Sequence, residues 1–157
     1  WFTLTGLKHL LDHVIFYTGV VCNVLLVFGE MSRDEERSVT GGPLKPCSVS
    51  NMPVTGYTRY GICSLHRGDI GSHHVCIRDI RDTGFCTVTG QGDWCDTKQN
   101  WCVCEWAFER AVRTSGCDAF DLKCDSTNRL ALEHYERAGA THAASCIRRQ
   151  CVDGNTP

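Results

Sequence analysis

Twelve of the 157 residues are cysteine, and nine of them fall between Cys47 and Cys124. Sulfur at that density in a short chain means a disulfide scaffold, a bound metal or thiol chemistry. Each demands a different state of the sulfur: oxidised and inert, clamped on a cation as thiolate, or left reactive as thiolate. A chain of this length has room for one domain, burying about 65–70% of its unfolded surface. So modest a core gains most from covalent ties. Disulfides are the first expectation, and with them an oxidising compartment, secretory or extracellular.

Charge narrows the field further. Sixteen Lys and Arg are interleaved with eighteen Asp and Glu, for a formal charge of −2 and a pI near 6.4. A polyanion binder needs a basic face, so no nucleic-acid partner is expected.

Residues 14–28 (VIFYTGVVCNVLLVF) form an apolar run. As a helix it spans about 22 Å, short of the ~30 Å hydrocarbon core of a bilayer. It suits the h-region of a signal peptide, with Lys8 upstream. A membrane partner follows only if the run is an uncleaved anchor. A buried helix or a non-native extension are the alternatives. Residues 31–42 are polar and end in two glycines, so 1–40 reads as a hydrophobic segment plus linker.

The domain proper reads as 41–139, followed by a tail over 140–157. Pro43, Pro46 and Pro53 exclude helix at its start. Residues 54–63 (VTGYTRYGIC) have strand composition, and Gly68-Asp69-Ile70-Gly71 is a turn feeding a strand over 73–80. Alternation puts His74, Cys76 and Arg78 on one face of that strand and His73, Val75 and Ile77 on the other. FCTVTGQGDWC (85–95) predicts a hairpin that brings Cys86 beside Cys95. Helices are expected at about 101–113 and 125–138. The first carries the stripe Trp101, Cys104, Phe108, Ala111 and Val112; the second opens near Asp125-Ser126 and closes at Gly139. The order predicts an α+β fold, a small antiparallel sheet packed by two helices and rich in disulfides. Cys86–Cys95 and Cys117–Cys124 are the expected staples.

For chemistry, the candidate nucleophiles are Cys102 and Cys104, because a helix opening at Trp101-Cys102 would stabilise a thiolate. The candidate metal ligands are His73, Cys76, Cys102 and Cys104. Strand alternation sets His73 and Cys76 on opposite faces, which argues against a shared ion. No cofactor is expected, with zinc the alternative. There is no Gly-x-Ser-x-Gly, no Cys-x-x-Cys and no phosphate loop.

PLKPCS (43–48), GYTRYGIC (56–63), DIGSHHVC (69–76) and NWCVCEWAFERAV (100–112) occur in that order. In this the chain resembles the family called domain of unknown function 2237, in a cysteine-rich branch of algal and other microbial eukaryotic type. The family pattern falls on Cys47, Gly56, Arg59, Gly61, Cys63, Asp69, Gly71, His73, Cys76, Trp101, Cys102 and Cys104. The usual segments between Arg78 and Trp101 are absent. The resemblance implies no activity. It does imply a division: Cys47, Cys63, Cys76, Cys102 and Cys104 as the place to seek function, and Cys86, Cys95, Cys117 and Cys124 as staples. The expected molecule is an uncharacterised structural or binding domain stabilised by disulfides, with a zinc protein and a thiol-dependent redox enzyme as rivals.

Overall fold

A computed structural model describes residues 36–51 and 53–155. The 14–28 segment and Cys22 lie outside them. Three short strands form one antiparallel sheet in the order β2-β1-β3: β1 (Val75–Arg78), β2 (Trp101–Val103) and β3 (Asp121–Leu122). Val75 pairs with Val103, Cys76 with Cys102 and Ile77 with Trp101 on one side of β1, and Ile77 pairs with Leu122 on the other. Four α-helices are described: α1 (Phe85–Thr89), α2 (Glu105–Ser115), α3 (Arg129–Ala138) and α4 (Thr141–Ile147). The α+β architecture rich in disulfides is as the sequence predicts.

β1 is covered on both faces, and the pleat sorts its side chains between two interiors. Val75 and Ile77 join the main core with Val103, Phe108, Leu122 and Tyr135, while Cys76 joins a separate cluster with Cys47, Cys63 and Cys102. In the main core Phe108 meets Phe120 edge-on at 5.9 Å, and Phe120 meets Phe85 at 6.3 Å. Each such ring contributes about 1.5–3 kcal/mol through burial.

Residues 54–63 are a loop of turns and bends, not a strand, and four further expectations need correction. Residues 85–95 are not a hairpin: 85–89 are helical, although Thr and Val favour strands. Phe85 and Cys86 are drawn into the core, and Thr89 satisfies its hydroxyl locally by donating to the Phe85 carbonyl. Gly90, at φ 71°, ends the helix, and a 3₁₀ turn (Trp94–Thr97) follows. The first long helix does not begin at 101, because residues 101–103 are strand β2 and α2 starts at Glu105. The second begins at Arg129, where Asn128 rather than Asp125 or Ser126 caps it by accepting from the Leu130 amide. Gly139, at φ 70°, closes it as predicted.

The last correction concerns the tail. Residues 141–147 are α4, continued by a π-helical turn over Arg148–Val152. Ala143, Cys146, Ile147 and Cys151 are buried. Hydrogen bonding from i to i+5 brings residues five apart close to one face, so Cys146 and Cys151 both point inward. They bond to Cys117 and Cys124 respectively. The expected Cys117–Cys124 bridge does not exist, because β3 runs extended between the two and carries them apart. Cys86 and Cys95 are bonded to each other, with Cα atoms 6.0 Å apart. Among the described residues no helix is long and apolar enough to cross a membrane.

Candidate functional site

Cys47, Cys63, Cys76 and Cys102 are each at most 1% exposed. They form two disulfides, Cys47–Cys76 and Cys63–Cys102, with Cα separations of 5.8 and 5.3 Å. The loop from 47 to 63 is thereby fastened to β1 at one end and to β2 at the other. Its ends are also joined to each other, since the Cys47 and Ser48 amides both donate to the Gly61 carbonyl at 2.7 and 3.1 Å. Gly61 sits at φ 82°, and a Cβ there would lie 2.9 Å from the Ser48 hydroxyl, so glycine is required. Two threonines finish the clamp. Thr55 Oγ1 accepts from the Cys102 amide at 2.7 Å and Thr127 Oγ1 from the Cys76 amide at 3.1 Å.

The pairing disposes of the candidate sulfurs one by one. Cys76 and Cys102 are oxidised, so in this state neither offers a thiolate to a metal or a substrate. The helix-dipole argument for Cys102 also lapses, because Cys102 lies on a strand. Cys104 is the one free cysteine among the described residues; it is half-buried, in the N-cap position of α2. The four expected metal ligands therefore do not form one set of donors. Disulfides occur in both of the expected cysteine groups, and the free Cys104 belongs to the group in which function was to be sought.

His73 is occupied elsewhere. Its Nδ1 lies 2.6 Å from Asp69 Oδ1, and its amide donates to Asp69 Oδ2 at 2.8 Å. Burial alone would raise the Asp69 pKa, but the bonds from the His73 amide and ring outweigh it and hold the carboxyl below its ordinary value. Gly71 allows this turn, since a Cβ there would press on the His73 ring at 2.7 Å. Arg59 and Trp101 meet: the guanidinium stands 5.2 Å from the indole centre, with the Lys98 ammonium 5.1 Å from the same ring.

A second constellation, unexpected from the sequence, surrounds Glu105. Its side chain is 1% exposed, yet Oε1 lies 2.6 Å from His74 Nδ1 and 3.0 Å from His134 Nδ1. Glu105 Oε2 is 3.1 Å from the same His134 nitrogen. The three residues come from the entry to β1, the first turn of α2 and the middle of α3. Tyr135 fixes the carboxylate's backbone by donating its hydroxyl to the Glu105 carbonyl at 2.6 Å. Burial, with the nearby Glu105, Cys104 and Glu109, pushes the Tyr135 pKa well above its usual value, so it remains a donor.

Sequence reasoning missed this group because its successive members are 31 and 29 residues apart. One signal was present: Glu105 precedes Phe108 by three and Val112 by seven, which places a carboxylate on the apolar stripe of α2. Glu36 and Asn128 were missed too. Asn128, 1% exposed, donates to the Glu36 carboxylate and to the Cys63 carbonyl while capping α3, and so ties the loop clamp to the helix.

No curated protein matches the chain. The family model described as an uncharacterized protein conserved in bacteria, DUF2237, matches residues 37–142. That span takes in the loop clamp, the sheet and helices α2 and α3. The chain belongs to the family of domain of unknown function 2237.

Proposed function

We propose that the chain is an exported binding domain whose recognition face is the loop region 53–72, held rigid by the two buried disulfides at its base. The observation that carries this reading is the composition of that face. Five of the seven exposed large hydrophobic residues among those described fall there: Val54, Tyr57, Tyr60, Leu65 and Ile70. Tyrosine with arginine is the composition of protein-binding hot spots, and a stapled loop loses little entropy on binding. The exposed charges of this stretch are Arg59 and Arg67, and its one acid, Asp69, is turned inward onto His73. The matching partner is an acidic protein segment. The overall charge of −2 speaks against a polyanion such as nucleic acid. Export is supported by five disulfides, which a reducing cytosol would not maintain.

A displayed random-peptide library panned on the oxidised protein tests the reading. Enrichment of Asp/Glu-rich peptides that also carry apolar residues, lost in an Arg59→Ala, Tyr60→Ala double variant, is expected. Binding that survives the double variant, or a preference for single-stranded oligonucleotides, would overturn it. So would catalysis of insulin disulfide reduction by the chain.

A further inference from the structure

Glu105 is a carboxylate with 1% of its side chain exposed, and among the described residues its ion pairs are with His74 and His134. A buried carboxylate calls for compensating positive charge or hydrogen bonds, and among the described residues no lysine or arginine is paired with it. Two ring nitrogens converge on the one carboxyl group, each at 2.6 to 3.1 Å. Each nitrogen must either bring a proton to that oxygen or turn its lone pair toward a cation held between them. One donor atom from each of the three residues lies within 4.8 Å of the others. The His74 ring is buried, and among the described residues its hydrogen bonding runs through Nδ1 to Glu105, with no partner at Nε2.

We propose that His74, Glu105 and His134 form a binding site for one divalent transition-metal ion, with zinc the best chemical match. Two imidazoles and one carboxylate are a donor set that zinc accepts in three-ligand sites that keep an open position. Bonds of ~2.0–2.1 Å need donor atoms about 3.3 Å apart in a tetrahedral arrangement. The contacts at 2.6–3.1 Å therefore open by a few tenths of an ångström as the ion replaces protons, a movement within reach of side-chain rotation. The backbone is already fixed. The Asn128 amide donates to the His74 carbonyl at 2.8 Å, and the Tyr135 hydroxyl holds the Glu105 carbonyl. His134, with 28% of its side chain exposed, is the way in from solvent and offers the fourth position to water. This site shares no residue with the recognition face proposed above, and neither claim depends on the other.

The test is zinc uptake by the oxidised full chain, measured by competition with a chromogenic chelator and repeated with His134→Ala, Glu105→Gln and Cys104→Ser. His134 is the exposed member, so His134→Ala should keep its fold by circular dichroism even if Glu105→Gln does not. One zinc per chain at micromolar metal is expected, weakened more than about 10-fold by His134→Ala and by Glu105→Gln wherever that variant folds, and unchanged by Cys104→Ser. Cobalt in place of zinc should give visible bands without the thiolate charge transfer that a cysteine ligand would add. No uptake by the unaltered chain would overturn the proposal. Uptake indifferent to His134→Ala, or abolished by Cys104→Ser, would do the same.

Discussion

Cys76 and Cys102 stand directly opposite each other across β1 and β2, yet neither is bonded to the other. Each reaches out instead to one end of the 47–63 loop. The result is a four-cysteine interior on the face of β1 away from the main core, where a second apolar layer would otherwise be needed. The bridges close loops of 29 and 39 residues, which in the chain-entropy model contributes about 3.5–4 kcal/mol apiece.

The loop clamp should therefore outweigh the local staple. Replacing Cys63 and Cys102 by serine should cost about 4 kcal/mol, against about 2.5 kcal/mol for Cys86 and Cys95, whose loop spans nine residues. Urea denaturation of the two double variants under non-reducing conditions compares them. An equal loss would mean that the 47–63 loop is not held by its bridge.

Truncation after Gly139 should abolish cooperative unfolding. The cut removes Cys146 and Cys151, leaves Cys117 and Cys124 without partners, and strips Ala143 and Ile147 from the core. A truncated chain that melts within a few degrees of the full one would show that α4 is an appendage.

Asp69 sets a pH dependence with a definite sign. Its folded pKa lies below the ordinary value of 3.8, so its contribution is present above that value and is lost as pH falls through the folded pKa. Asp69→Asn should cost about 2 kcal/mol at pH 7, since both bonds from His73 then go to a neutral acceptor. The gap between the two proteins should narrow below about pH 4. Urea midpoints at pH 7, 5 and 3 read this directly, and a gap constant across the series would contradict it.

Asn128→Ala should be among the costliest polar substitutions, at about 3 kcal/mol, because it removes a helix cap and strips a partner from the buried Glu36 carboxylate. Asn128→Ser restores the cap alone and should recover about 1 kcal/mol of that loss. Equal stability of the two variants would argue that the cap plays no part.

How far the sequence disclosed this molecule depends on the range over which each signal acts. The β1 strand and the Gly139 helix stop were legible because each rests on residues close in the chain; the Cys86–Cys95 pair is present, but on a short helix and a 3₁₀ turn in place of the expected hairpin. The start of α2 was not. The same four residues, Trp101 to Cys104, fit the period of a helix and of a strand, and only pairing with β1 decides between them. The tail misled for the opposite reason: α4 is short, and its two cysteines gain meaning only from partners 29 and 27 residues away. The Glu105 group draws on three elements, so spacing could not reveal it. A charge on an apolar stripe could have raised the question.

The central claim is that the described cysteines form five disulfides and leave Cys104 alone reduced. The most direct measurement is the intact mass of a Cys22→Ser chain, denatured and alkylated first without and then with reductant. A single tag before reduction, mapped to Cys104, and ten more after it are the predicted result. Three or more tags before reduction, or a tag on Cys63, Cys76 or Cys102, would contradict it.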